Sequence, residues 1–264
     1  MKKNIFTFLF YTLIVYVLIT LTQVAYSQSL EDLLKDADQQ VAEFNNAKAL
    51  EILETADKKF PNNPEVYWRK SRALVDISEH LPSNTDKQKD EQEAMFREAF
   101  DFADKSVKLA SDKSITFLRR AIAGGKLALF EGVFSAIGTV NDVKDDCEKS
   151  IQLGNGGNQV QALAHYVLGR THAKVCEKSY LVRLPIGLGW GDMDEAIRQF
   201  NMAINLRPNF RMFYLDIGKA YIEEDEYEKA REVLKKIEKA PKADEDDDKV
   251  ATDAKKLLND IKDE

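Results

Sequence analysis

A spaced pattern of small and large residues recurs along this chain and constrains its fold more than any other feature. An alanine, a large apolar residue, a second small residue and a proline follow one another at steps of four, three and five residues. The two full copies are Ala49, Leu53, Ala56, Pro61 and Ala196, Phe200, Ala203, Pro208. Weaker copies are Ala99, Ala103, Ser106, Ser111 and Ala230, Leu234, Ile237, Pro241. Steps of three and four place these residues on one helix face, so a second helix can approach closely, and proline then ends the helix.

Helical hairpins of about 34 residues with this signature are typical of tetratricopeptide repeats, whose units stack into a solenoid. The sequence therefore predicts an all-α, right-handed solenoid of about five helical hairpins plus a C-terminal capping helix. The composition, 44% apolar and 31% charged, agrees with a helix-rich globular protein. Such an architecture favours a protein-binding scaffold over a catalyst.

The first 27 residues differ from the rest of the chain. Lys2 and Lys3 precede an uncharged run, Ile5–Val24, and small residues follow at Ala25 and Ser27. This layout predicts a secretory signal peptide over residues 1–27 and a repeat domain over residues 28–264. The run is also long enough to span a bilayer, so an uncleaved membrane anchor stays open. Both alternatives place the repeat domain outside the cytoplasm, in the periplasm, in the cell envelope or outside the cell, with membrane contact only through an uncleaved N-terminal segment.

The remaining chain divides into five hairpins and a cap. The hairpins begin near Leu30, Pro64, Lys113, Ala162 and Arg211, and the cap has apolar positions at Val250, Ala254, Leu257, Leu258 and Ile261. We expect an exposed loop over residues 81–88 and a helix interruption at Gly124 and Gly125. We also expect an insertion through Leu184–Gly191, which either forms an exposed interaction loop or folds back into the solenoid's own groove.

Three blocks of sequence together resemble a known family. They are Pro64–Ser78 (PEVYWRKSRALVDIS), His165–Val175 (HYVLGRTHAKV) and, after an insertion, Glu195–Phe210 (EAIRQFNMAINLRPNF). In this order they resemble the tetratricopeptide domain of the regulator of microtubule dynamics family, over roughly residues 64 to 262. The resemblance implies the fold and a non-enzymatic adaptor role. The exported start departs from the cytoplasmic, membrane-tethered setting of the eukaryotic members, so the partner stays open.

One strip of residues is our candidate binding surface. Aligning three hairpins on Ser71, Gly169 and Gly218 places an aromatic or apolar residue three positions earlier and a cation one position later. The six residues are Trp68, Arg72, Tyr166, Arg170, Leu215 and Lys219. In this repeat such positions line the concave groove, where cations and flat side chains suit an acidic peptide or a C-terminal carboxylate. A local alternative is that Arg72 simply pairs with Asp76 one turn later.

Other chemistry-bearing residues have structural explanations. His165, His172 and Cys176 share one helix face, but the first and last lie about 16 Å apart along the axis, too far for one metal ion. We expect both histidines in the core, and no metal site. The acidic run Asp244–Asp248 lacks the spacing of a calcium loop and is interpreted as a solvated helix start. Cys147 and Cys176 either form a disulfide or, as we favour, remain buried thiols.

The sequence contains none of the common catalytic motifs. It has no G-x-S-x-G elbow, no H-E-x-x-H pair and no phosphate-binding glycine loop, and it has only three histidines. We therefore expect no enzymatic activity, no catalytic residues and no cofactor. A formal charge of −7 also argues against nucleic-acid binding. The expected partner is a protein or peptide.

Overall fold

The computed structural model describes residues 28–130 and 136–264, so the predicted signal peptide lies outside the described residues. All regular elements of the described ranges are helices. In chain order they are α1 (Leu30–Ala42), α2 (Asn46–Lys59), α3 (Pro64–Glu79), α4 (Asp86–Leu109), α5 (Ser114–Ala128), α6 (Ala136–Leu153), α7 (Gly157–Cys176), α8 (Tyr180–Arg183), α9 (Met193–Leu206), α10 (Arg211–Glu223), α11 (Tyr227–Leu234) and α12 (Asp247–Asp260).

The helices form five consecutive hairpins and a cap, as predicted. The pairs are α1–α2, α3–α4, α5–α6, α7–α9 and α10–α11, and α12 packs on α10 and α11. The second helix of each hairpin contacts the first helix of the next, and the first helices also contact one another in series. Each hairpin therefore packs mainly on its neighbours, which is the organisation of a helical solenoid.

The recurring small and large residues form the hairpin interiors. Ala49, Leu53 and Ala56 have no exposed surface, and Phe200 is 1% exposed. The two prolines of the full copies each follow a helix end by two residues, since α2 ends at Lys59 and α9 at Leu206. The pattern thus marks the buried faces and the ends of the second helices.

Two glycines allow the closest approach between helices. A Cβ atom at Gly169 of α7 would lie 2.9 Å from two ring carbons of Phe200 in α9, and one at Gly218 of α10 would lie 2.6 Å from a methyl carbon of Leu234 in α11. Any larger residue at these positions would push the paired helices apart. The absence of a side chain at these two glycines therefore sets the distance between the paired helices of each hairpin.

Three boundary predictions were wrong. Gly124 and Gly125 do not interrupt α5, which runs through both, because a helix tolerates glycine at an energetic cost. The expected loop over residues 81–88 ends early, because Thr85 and Gln88 form a capping box that starts α4 at Asp86. The fourth hairpin begins at Gly157, earlier than expected near Ala162, after Gly156 adopts a left-handed conformation.

The insertion between α7 and α9 has two parts. At its C-terminal part, Trp190 donates a hydrogen bond to Asn141 of α6 (2.8 Å) and contacts the ring of His172 in α7 edge-on. Its N-terminal part, helix α8, carries Tyr180 and Leu181 in exposed positions. The contacts of Trp190 therefore place that part against α6 and α7, while α8 is open to solvent.

Both predicted core histidines are buried. His165 lies against Gln199 of α9 through a ring-nitrogen hydrogen bond. Burial lowers the pKa of His172, the histidine beside Trp190. Cys147 is buried, Cys176 is partly buried, and both thiols are free. Within the described ranges, none of the helices combines the length and the apolar character that a membrane crossing requires.

Candidate peptide-binding surface

The first helices of the hairpins, α1, α3, α5, α7 and α10, together form a continuous surface that we call the inner wall. Because tetratricopeptide hairpins place their first helices on the concave side, this wall corresponds to the groove predicted from the sequence. Neighbouring helices meet along it at junctions where charged side chains face one another. The α3–α5 and α7–α10 junctions contain five of the six predicted residues.

At the edge of the α3–α5 junction, a carboxylate on α1 binds two arginines of α3. Arg69 donates to both oxygens of Asp38, at 3.0 Å or less to Oδ2, and Arg72 Nη2 donates to Asp38 Oδ1 at 2.6 Å. Although burial opposes the effect, the bonds and charge of these arginines lower the pKa of Asp38. Arg72 therefore pairs with Asp38 of the neighbouring helix α1, and not with Asp76 of its own helix as in the local alternative.

The indole of Trp68 lies at the centre of three guanidinium groups. The guanidinium carbons of Arg69, Arg72 and Arg119 are 4.0, 5.4 and 5.9 Å from its ring centroid. Its Nε1 donates to Glu65 at 2.8 Å. Arginines of both α3 and α5 thus place positive charge near the face of this aromatic ring.

Arg119 of α5 contributes a cation without a matching carboxylate. Within the described residues, none of the carboxylate oxygens lies within 4.0 Å of its guanidinium, and the buried Nε atoms of Arg119 and Arg72 have no hydrogen-bond partner. Burial and then the charge of Arg72 lower the pKa of Arg119 to about 10. Burial raises the pKa of Asp76, the closest source of negative charge on α3, to about 6. The α3–α5 junction therefore contains two buried guanidinium Nε donors that lack an acceptor.

The α7–α10 junction is organised around one carboxylate. Asp216 of α10 accepts a hydrogen bond from the Tyr166 hydroxyl (2.7 Å) and pairs with Arg170 Nε (3.4 Å) and Lys219 Nζ (2.9 Å). The Tyr166 ring packs on Phe213 at 4.7 Å between centroids. Burial, and next the charge of Asp216, raise the pKa of Tyr166 well above its usual value. Tyr166, Arg170 and Lys219 thus share Asp216 as their common partner.

The structure separates the six predicted residues by exposure, with the Arg72 side chain, 16% exposed, between two groups. Trp68, Tyr166 and Leu215 are buried, at 8%, 6% and 2% exposed, so they present little surface to a ligand. The side chains of Arg170 and Lys219 are about half exposed. The sequence places all six on one wall, but the open flat faces that we expected are largely covered by neighbouring helices. Their role in peptide binding stays a prediction.

Sequence reasoning missed Arg119 and Asp216. Arg119 is the sixth residue of α5, and Asp216 is the sixth residue of α10, so they occupy equivalent places in their helices. Each faces the cation of the preceding first helix, Arg72 or Arg170. The available signal was a charged residue at this sixth position, which requires the hairpins to be aligned before it can be recognised.

The acidic run also differs from expectation. α12 does begin within it, but Asp247 is 2% exposed and accepts hydrogen bonds from the backbone nitrogens of Ala243 (2.6 Å) and Asp244 (2.9 Å). This carboxylate organises the turn before α12 and is not solvated. The described residues contain no cluster of three or more His, Cys, Asp or Glu side chains that would suit a metal ion.

The stacked hairpins, their buried small residues and the inner wall define a tetratricopeptide-type solenoid of the protein-interaction class. A search of solved structures agrees with this class. The thermophilic TPR protein TTC0263 of Thermus thermophilus superposes with a TM-score of 0.66 at 15% identity, covering 88% of this chain and all of that one. PilF of Pseudomonas aeruginosa superposes with a TM-score of 0.58 at 10% identity, covering 89% of this chain and 85% of that one.

The sequence profile described as regulator of microtubule dynamics protein 1-3 matches residues 33–262, and the chain belongs to this family. The mouse regulator of microtubule dynamics protein 1 is 24% identical over 235 residues, covering 87% of this chain and 74% of the mouse protein. The cattle protein of the same name is 24% identical over 243 residues, covering 89% and 73%. The family predicted from three sequence blocks is thus confirmed.

Proposed function

We propose that this chain is a non-enzymatic scaffold that binds an acidic peptide segment on its inner wall. The solenoid fold and the family membership support an interaction role. The observation that carries the proposal is the meeting of Arg72 and Arg119 beside Trp68, where two buried guanidinium Nε atoms have no hydrogen-bond partner. A ligand carboxylate would supply the missing acceptor.

The α3–α5 junction is the preferred contact within the predicted strip. Arg170 and Lys219 already share the carboxylate of Asp216, so an incoming carboxylate would have to compete with a resident one. None of the described carboxylate oxygens lies within 4.0 Å of the Arg119 guanidinium, whereas Arg72 beside it pairs with Asp38. We therefore assign the anionic end of the peptide to Arg119 and the unpaired Nε of Arg72, and the exposed edges of Arg170 and Lys219 to the remainder of the strip.

A labelled octapeptide of glutamate and leucine with a free C-terminal carboxylate tests this assignment. Fluorescence anisotropy should detect binding, and the matching lysine–leucine peptide should not bind. Arg119→Gln should weaken binding about tenfold, because it removes one charge-assisted contact worth about 1.4 kcal/mol. Arg97→Gln is the matched control, since Arg97 is an exposed arginine of α4 that pairs only within its own helix. Equal affinity of both variants and the unmodified protein would refute the assignment.

We further propose that the repeat domain is exported, to the periplasm or cell envelope, after cleavage of residues 1–27. The support is the order of charged, apolar and small residues in that segment. N-terminal sequencing of the protein isolated from its native cells tests it. A start at Gln28 agrees with cleavage, whereas an intact Met1 contradicts it.

A second candidate is a membrane-anchored adaptor that self-associates through its insertion. Two observations favour it: the uncharged run Ile5–Val24 and the exposed apolar side chains of the α8 region, at Tyr180, Leu181, Val182 and Leu184. Light scattering of the purified protein should then show a dimer that Leu181→Asp converts to a monomer. A monomer at all concentrations would remove this candidate.

A further inference from the structure

We propose that the acidic segment Asp244–Asp246 is a built-in occupant of the inner wall, which a bound acidic peptide must displace. This inference deepens the proposed function, on which it rests, by adding a form of regulation to the same surface. It starts from contacts between residues at opposite ends of the sequence. Asn46, at the first residue of α2, donates a hydrogen bond to Glu245 Oε1 at 3.1 Å across 199 positions of the chain.

A histidine at the edge of the inner wall, just after α3, meets the same segment. His80 directly follows α3, and its two ring nitrogens lie 3.6 Å from Glu245 Oε1 and 3.6 Å from Asp246 Oδ1. Burial opposes its protonation, but the carbonyl of Asp76 and the carboxylates of Glu245 and Asp246 raise the pKa of His80. The segment thus places two carboxylates on the C-terminal end of α3.

The segment is held in a shape that presents these carboxylates. Arg211 Nε donates to the carbonyl oxygen of Ala240 at 3.0 Å, which fixes the beginning of the segment on α10. The buried carboxylate of Asp247 binds the backbone nitrogens of Ala243 and Asp244, which closes a turn before α12. Between these two anchor points, Glu245 and Asp246 project toward the first two hairpins.

The occupied place adjoins the α3–α5 junction. Asp76 lies one helical turn before His80, and its backbone carbonyl oxygen is 2.7 Å from His80 Nδ1. Arg72 lies one turn before Asp76 on the same helix. A peptide that brings carboxylates to Arg72 and Arg119 therefore approaches the volume that Glu245 fills. Two groups of acidic residues cannot share this volume without strong repulsion.

The contact is weak enough to be displaced. The His80 side chain is 42% exposed, and exposed ion pairs contribute little. The negative charges of Asp76 and Glu245 also repel each other, which opposes docking of the segment. Weak attachment by a tethered segment is the property expected of an internal competitor that yields to a ligand of similar charge.

The test removes the two projecting charges. Glu245→Gln/Asp246→Asn should increase the affinity for the glutamate–leucine octapeptide about fivefold, because the internal competitor is weakened. The control variant Asp248→Asn/Asp263→Asn removes two charges from exposed positions of the same C-terminal region and should leave the affinity unchanged. Hydrogen exchange should at the same time become faster over residues 243–247 in the first variant only.

A second probe separates this inference from the proposed function. A peptide that copies residues 241–248 should shift the NMR signals of Asn46 and His80, and should bind the Glu245→Gln/Asp246→Asn protein more tightly than the unmodified protein. Equal binding to both proteins, or none, would overturn the internal competitor. If the copied peptide binds as expected but the octapeptide does not, the competitor is upheld and the general acidic-peptide function is refuted.

Discussion

The α7–α10 and α3–α5 junctions carry opposite charges at one equivalent position of their helices. In the first, Asp216 occupies the sixth position of its helix and pairs with Arg170 from the preceding first helix. In the second, Arg119 occupies the same position and faces Arg72. We call the first the complete junction, because its polar side chains share one carboxylate, whereas the second keeps two buried Nε donors without an acceptor.

The difference also shows how stability and binding divide along this solenoid. The hairpin interiors are apolar and closely packed, so they determine the spacing of the helices. The junctions of the inner wall carry ionised groups whose pairing changes from one hairpin to the next. Packing therefore sets the helix positions, and under the proposed function the charge at one repeated position selects the junction that binds the peptide.

The largest expected effect comes from enlarging a glycine beside the complete junction. Gly169→Val should lower the free energy of unfolding by about 3 kcal/mol, because the new side chain would overlap the ring of Phe200 and move Tyr166 away from Asp216. Urea unfolding followed by circular dichroism measures it. Gly125→Ala on α5 is the control: no atom lies within 4 Å of its added Cβ, so stability should rise by about 0.5–1 kcal/mol. Equal destabilisation by both variants would contradict the packing argument.

Substitutions at Asp216 and Arg119, the sixth residues of α10 and α5, should change the free energy of unfolding by different and smaller amounts. Asp216→Ala should cost about 2 kcal/mol, because it leaves Arg170, Lys219 and the Tyr166 hydroxyl without their common partner. Arg119→Gln should change stability by less than about 1 kcal/mol, since the lost attraction to acidic neighbours is offset by lost repulsion and lost desolvation. The same urea experiment compares them. A larger cost for Arg119→Gln would show that the α3–α5 junction is as complete as the other.

A third effect is a pH dependence that arises at the α3–α5 junction. Because the pKa of Asp76 is raised to about 6, its contribution to stability is full below its ordinary pKa of about 3.9 and is lost as the pH rises through 6. The unfolding free energy of the unmodified protein minus that of Asp76→Asn should therefore fall between pH 4 and 6. Arg119→Gln should raise the pKa of Asp76 further, because Arg119 favours the ionised carboxylate. NMR titration of the Asp76 carboxyl measures both, and a pKa near 4 would contradict them.

The fold was predictable because its signal is local. Ala196, Phe200 and Ala203 lie within two turns of one helix, and their burial follows from spacing alone. The helix ends near Pro61 and Pro208 follow from the backbone chemistry of proline. The interruption expected at Gly124 and Gly125 was wrong because the packing of α5 against its neighbours outweighs the weak helix propensity of glycine.

The candidate site was only partly predictable because its charges pair between helices. Arg72 binds Asp38, 34 positions earlier, and Tyr166 binds Asp216, 50 positions later. Such partners depend on which helix faces which, and the third hairpin, which carries Arg119, matched the repeat pattern least well. The contact between Asn46 and Glu245 depends on the curvature accumulated over all five hairpins, and no local pattern contains that information.

The contact between Asn46 and Glu245 also changes how the solenoid is expected to unfold. A linear array of repeats loses its terminal units first, since each end has a neighbour on one side only. Here Asn46 and His80 of the first two hairpins contact the segment that leads into the last helix. Each end of the solenoid therefore also packs on the other end. Local unfolding at one end of the solenoid must then break a contact with the other end. The two ends are therefore expected to unfold together.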